Sequence, residues 1–186
     1  MRFHAIGLIA ALLAGCVGSE APKYTVAPVD IGPPASIHTS AKTILIAKVS
    51  LPSYAKETKI VVKDNTGALV GLPEADWGDD PERAMAYALV RHLTDISGRR
   101  VAVDPWPLDG LPDAEIRVRV EEMVVETGGN LRLSGQFAVR RDDMPARNRI
   151  KPFVVHAAAR SNLPSEVVAA HDRAWQNLAE LIARNV

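Results

Sequence analysis

Two stretches of this chain place apolar residues at intervals of three and four, and the other regular stretches alternate at two. The first runs through Met85, Ala88, Leu89, His92, Leu93 and Ile96. The second carries Val167, Val168, His171, Ala174, Trp175, Leu178, Leu181 and Ile182. Each is one apolar stripe of a helix, and a one-sided helix has to bury that stripe against something else. Between and before the stripes lie segments of strand length and strand period. A chain with two one-sided helices and several strands therefore lays its helices on a sheet. The order is strands, helix, several strands, helix, which predicts an α/β fold: a single two-layer domain with a mixed β-sheet and two main helices packed on it.

Local signals set the element boundaries. Thr43 to Val49 is a continuous apolar run, as expected of a strand covered on both faces, and Lys59–Lys63 reads as a second strand. A short third strand is expected around Leu69-Val70. The first helix is opened by Asp79 or Asp80 as a cap with Pro81 at the first turn, and closed by Ser97-Gly98. Val101 to Val103 is a short strand stopped by Pro105-Trp106-Pro107. Ile116, Val118 and Val120 share one face of the next strand. The phase then slips to Met123 and Val125, which predicts a β-bulge at Glu121-Glu122. Thr127-Gly128-Gly129-Asn130 turns the chain into a return strand on which Leu131, Leu133, Phe137 and Val139 alternate with Arg132, Ser134, Gln136 and Arg140. Arg141 to Asn148 is a polar loop, Phe153 to Ala157 a last strand, and Pro164 opens the last helix.

Composition removes several functions. The 186 residues carry 22 basic and 22 acidic side chains, so the basic excess of a nucleic-acid binder is missing. A single cysteine excludes an intramolecular disulfide framework and any Cys-rich metal site. That cysteine is Cys16. It follows Arg2, a short apolar run from Ala5 to Leu13, and the residues Leu13-Ala14-Gly15. The apolar run is too short to cross a bilayer and suits a secretory signal. The tetrapeptide resembles the bacterial lipobox, in which the cysteine is exposed by cleavage and acylated. Residues 1–15 are thus expected to be a lipoprotein signal peptide. Residues 16–41, rich in proline, are expected to be the acylated Cys16 and a flexible tether, and 42–186 the folded domain. Val17 stands where an Asp tends to signal inner-membrane retention, so the expected address is the outer membrane, on its periplasmic face.

No catalytic constellation is legible. Of the five histidines, His92 and His171 lie on helix stripes, and no pair has the spacing of a zinc site. Nucleophile elbows and phosphate-binding glycine loops are missing, and Glu121-Glu122 and Asp142-Asp143 are sequence neighbours that a strand would point apart. The expectation is a protein with no cofactor, no metal and no enzyme activity. Tyr54, Trp77 and Trp106 fall at loops or element ends. They are candidate partner-binding anchors, because aromatics bury much area at small entropic cost; the other reading is that they plug the ends of the sheet.

Tyr24-Thr25-Val26 after the lipobox, Val49-Ser50-Leu51-Pro52-Ser53-Tyr54 followed by Ile60-Val61-Val62, Asp76-Trp77 before Pro81-Glu82, and Val103-Asp104-Pro105-Trp106 occur in that order. Together they resemble the ABC-type transport auxiliary lipoproteins, the PqiC/YmbA-like family of membrane integrity-associated transporter lipoproteins, over about residues 10 to 184. Val26 and Ala55 stand where that family usually has Leu. The resemblance implies a non-catalytic outer-membrane lipoprotein that works with an MCE-domain protein and an inner-membrane permease or ATPase in lipid transport. It also implies a homo-oligomer for some members. The alternative is a structural lipoprotein that helps assemble an outer-membrane complex.

Overall fold

The computed structural model describes residues 21–28, 36–141 and 148–186. Cys16, the signal peptide and the centre of the polar loop lie outside the described residues. One eight-stranded sheet is built from β1 (Lys23–Tyr24), β2 (Thr43–Ser50), β3 (Lys59–Lys63), β4 (Leu69–Trp77), β5 (Arg100–Val103), β6 (Ala114–Val125), β7 (Asn130–Arg141) and β8 (Arg149–Ala158). Two helices, α1 (Pro81–Ser97) and α2 (Pro164–Ala183), pack on it. β6, β7 and β8 form an antiparallel meander. Along the other edge of β6, β2 and β3 pair in tandem and in parallel, with β5 beyond β2 and β4 then β1 beyond β3. The mixed two-layer α/β sheet is the expected one.

The helix signals act as read. Asp80 caps α1 by accepting the Arg83 amide at 2.8 Å, and Gly98 ends it in the left-handed region, its N–H donating to the Thr94 carbonyl. Met85, Ala88, Leu89 and Leu93 are fully buried, and Met85, Leu89 and Leu93 each contribute roughly 1.5–3 kcal/mol relative to exposure. On α2 the stripe from Val167 to Ile182 is buried, but Leu181 is 36% exposed: its place in the helical rotation brings it to the stripe's edge. The bulge expected at Glu121-Glu122 is present, as the β6–β7 register shifts between Val120 and Glu122.

Three expectations change. β4 and β8 are much longer than their apolar cores suggest. Each carries a proline, Pro73 or Pro152, where no strand lies on its outer side: β8 is the sheet's edge, and β1 covers β4 only at Asp76 and Trp77, so neither position needs an amide from the proline. β2 is buried through Thr43–Ile46, but Lys48 is exposed; the face away from the helices opens there. The described part of the stretch read as a tether is extended but lies on the domain. β1 pairs with β4, Val26 and Ala41 are buried, and the Ile37 amide donates to the Ile96 carbonyl at 2.9 Å. Proline disfavours a central strand but allows an extended chain to run along an edge and past helix ends.

Candidate functional site

Both helices cover one face of the sheet. On that face Ile116, Val118, Phe137, Val139 and Leu133 join Trp175 and Leu178 of α2 in a single core. Strict alternation sends their neighbours to the other face. There Glu115 pairs with Arg140, Arg117 with Ala138 and Arg119 with Gln136 across β6 and β7, and Ala138 pairs with Ile150 on β8. Two adjoining shallow grooves, of about 580 and 360 Å³, share Arg117, Ala138 and Ile150. Ile150 is 72% exposed, and Ala138 lies half-buried beside it.

Lys48, Arg117, Arg119, Arg140 and Arg149 line the grooves against one carboxylate, Glu115. Glu115 is buried and taken up. Arg117 Nε and Arg140 Nε each donate to it at 2.9 Å. Burial alone would raise its pKa, but the hydrogen bonds from Arg140 and Arg117 outweigh that and hold the carboxyl below the usual carboxylate range. The groove is an apolar floor rimmed by cations, an arrangement suited to acidic or anionic surface. Among the described residues no three His, Cys, Asp or Glu side chains converge on a metal-binding geometry.

The three aromatic candidates go to different places. The Tyr54 hydroxyl, in the 3-10 helix Ser53–Lys56, accepts the Met123 amide at 2.9 Å. Its pKa is raised, mainly by burial. Trp77 ends β4 in the core, 5% exposed, edge-on to the His171 ring with centroids 5.2 Å apart. Trp106 is half-buried in the loop after β5, and its indole Nε1 has no hydrogen-bond partner among the described residues. None of the three rings stacks on another. The histidines fall in the helix layer. His92 Nε2 and Arg91 Nη2 both meet the buried Asp172 carboxylate at 2.9 Å, joining α1 to α2. His171 is enclosed, and burial pulls its pKa down to about 3.

The cationic groove went unread in the sequence. Its signal is the alternation Arg117-x-Arg119 on β6 and Gln136-x-Ala138-x-Arg140 on β7, which was visible only as the polar side of two strands.

The family model for the ABC-type transport auxiliary lipoprotein component matches residues 24–183. The chain belongs to this family. The match begins at Tyr24, and β1, Val26, Ile37 and Ala41 pack on the rest of the auxiliary-lipoprotein domain. One crystal structure, of an uncharacterized protein, superposes on this auxiliary lipoprotein with a TM-score of 0.69 at 17% identity, covering 87% of this chain and 95% of the other. A Xanthomonas campestris protein of the DUF330 family superposes with a TM-score of 0.57 at 16% identity, covering 80% of this chain and 84% of the other. At such identities the shared property is the fold. No protein of curated function matches the chain. Among the described residues no helix is long and apolar enough to cross a membrane.

Proposed function

We propose that this auxiliary lipoprotein is cleaved ahead of Cys16, acylated there, and held on the periplasmic face of the outer membrane, where it docks an MCE-type lipid transport system and keeps the envelope intact without catalysis. The observation that carries the reading is the family match over residues 24–183, preceded by Leu13-Ala14-Gly15-Cys16 at the end of a short apolar run. Two acyl chains anchor a protein where one would not, since each buried CH₂ contributes ~0.8 kcal/mol. Val17 in place of Asp supports the outer-membrane address.

The open sheet face supplies the docking surface. Five cations and an exposed Ile150 around a half-buried Ala138 suit an acidic, partly apolar patch on a transport component. Trp106, half-buried in the loop after β5, offers a second contact through the accessible part of its ring, whereas Trp77 acts from within the core and supports the domain. The test is in-cell photo-crosslinking from position 136 in the groove, with the native acylated protein. The expected adduct contains an MCE-domain protein. Adducts formed only with components of some other outer-membrane assembly would overturn the transport reading.

A further inference from the structure

Three loops meet at one end of the sheet. The β3–β4 turn, the β6–β7 turn and the β8–α2 loop all lie there, because β3, β6 and β8 run in one direction and finish together. They are joined to one another. Thr127 Oγ1 donates to the Asp64 carbonyl at 3.2 Å, and the Ala159 amide donates to the Gly129 carbonyl at 2.6 Å.

This end exposes large apolar side chains that nothing in the fold uses. Leu69 is 46% exposed, Val70 39% and Leu163 62%. From Asn65 to Pro73 the chain carries no ionisable residue. The nearest carboxylate, Asp64, is absorbed within its own turn, where it accepts from the Thr66 amide and hydroxyl and from the Ala68 amide at 2.7 to 2.9 Å. The charges the three loops add are Lys63 and Glu126, which face each other at 3.9 Å, and Arg160. A concentration of exposed apolar residues on a folded domain marks a surface meant for another apolar phase.

The chain's own connectivity says which phase. β1 runs parallel to β4, pairing Lys23 with Asp76 and Tyr24 with Trp77, so the residues ahead of Lys23 leave β1 in the direction of Leu69 and the three loops. Cys16 is seven residues before Lys23, and seven extended residues reach at most ~25 Å. Lys23 stands level with Asp76 and Lys59, roughly 13 Å short of the three-loop end at ~3.3 Å per strand residue. The opposite end of β6, at Ala114, lies on the order of 25 Å the other way. The anchor clears the near end with slack to spare and reaches the far end only by doubling back at full extension.

The geometry points to the three-loop end, with Leu69, Val70 and Leu163 in contact with the lipid bilayer, as a second membrane attachment beside the acylated Cys16. This rests on the acylation of Cys16 proposed above. It fixes the domain's orientation: the sheet stands on its loop end, and the cationic groove around Ala138 and Ile150, toward the other end of β7 and β8, is held away from the lipid and open to a partner.

Amide hydrogen exchange on phospholipid vesicles tests it, in two preparations. One is the acylated protein isolated from its membranes; the other is the protein with its only cysteine, Cys16, coupled to a maleimide-bearing phospholipid. Vesicle-bound protein is expected to slow exchange several-fold over residues 65–72 and 160–163 relative to lipid-free protein, and to leave residues 106–113 unchanged. Leu69→Asp with Val70→Asp, at exposed positions, should retain the fold and the anchor but lose that protection. Unchanged exchange over 65–72 in protein that floats with the vesicles would overturn the inference, as would protection falling on 106–113. Mass analysis of the isolated protein reads acylation separately: an unmodified Cys16 would sink the anchor reading, while the maleimide-coupled arm would still report the contact surface.

Discussion

The Tyr54 hydroxyl accepts the Met123 amide across 2.9 Å, immediately after the bulge that shifts β6 against β7. A bulge leaves ladder groups without strand partners, and here the 3-10 helix between β2 and β3 brings a side chain to one of them. Tyr54→Phe keeps the ring and deletes the acceptor. Leaving a half-buried amide unpaired should lower stability by about 1–2 kcal/mol, read as a lower urea midpoint with unchanged slope. Adduct formation with the transport partner should stay normal, because the hydroxyl faces inward. Full stability with lost partner contact would return Tyr54 to the role of binding anchor.

Gly135 lies opposite the same bulge. A Cβ added there would sit 2.1 Å from the Arg119 carbonyl oxygen and 3.0 Å from Val120 Cα, both backbone atoms that no rotamer change can move. Gly135→Ala therefore has to break the β6–β7 register and should destabilise by more than about 3 kcal/mol, the range of overpacked or disrupted cores. Gly128→Ala meets open space and serves as the matched control, within ~0.5 kcal/mol of the parent. Thermal melts of the two variants decide the matter.

The elements that read clearly in the sequence were those with a burial pattern of their own: both helices, the β6–β7 hairpin and its bulge, each with an inner face opposed to a wet one. β4 and β8 read only in part, at Leu69-Val70 and Phe153–Ala157, since the rest of each takes its extension from pairing with a neighbour and not from alternation. Pro22 beside β1 signalled extension, but whether an extended chain floats or lies along β4 depends on the partner edge, and Val26 alone is a faint sign of it. The groove was the least legible feature. Arg117, Arg119 and Arg140 read as ordinary solvent-facing positions until register brings three strands together, and Trp77 looked like a loop residue until β4 carried it into the core against His171.

His171 makes stability depend on pH. Its ring is enclosed, neither nitrogen has a hydrogen-bond partner among the described residues, and its pKa falls from 6.5 to about 3 on folding. Between those values the unfolded chain holds a proton that the folded chain refuses, so stability falls as pH drops from about 6.5 toward 3, by up to about 1.4 kcal/mol per unit. Glu82, Asp113, Glu115 and Glu122, all held low, add losses as pH falls through the acid end of that window. His171→Phe removes the titration and keeps a ring against Trp77. Urea melts from pH 7 to 4.5, above most carboxylate titration, should show a steep loss for the parent and a shallow one for the variant. Parallel curves would mean that His171 is already hydrated or paired when folded.

Charge reversal in the groove separates docking from folding. Among the described residues the Arg119 side chain makes no hydrogen bond or ion pair, and exposed Lys48 acts on the rest of the domain only through its field on Glu82, so Lys48→Glu and Arg119→Glu remove no contact that holds the sheet together. Each should leave the melting temperature within a degree or two, consistent with ~0.5 kcal/mol for exposed sites. The double variant changes the rim from five cations and one carboxylate to three of each, with one of those carboxylates already bound by Arg117 and Arg140. The rim then carries no net charge, and its attraction for an acidic partner should be lost. The expected readout is at least a tenfold loss of adduct from position 136, together with a wild-type adduct that weakens as salt is raised, since exposed charges are screened within ~8 Å at physiological ionic strength. Arg117→Glu would be a poor substitute, because it also strips a donor from buried Glu115 and mixes folding with binding. If the double variant folds, stays anchored and forms the adduct at full yield, the partner does not use the cationic rim, and the docking surface has to be sought at Trp106.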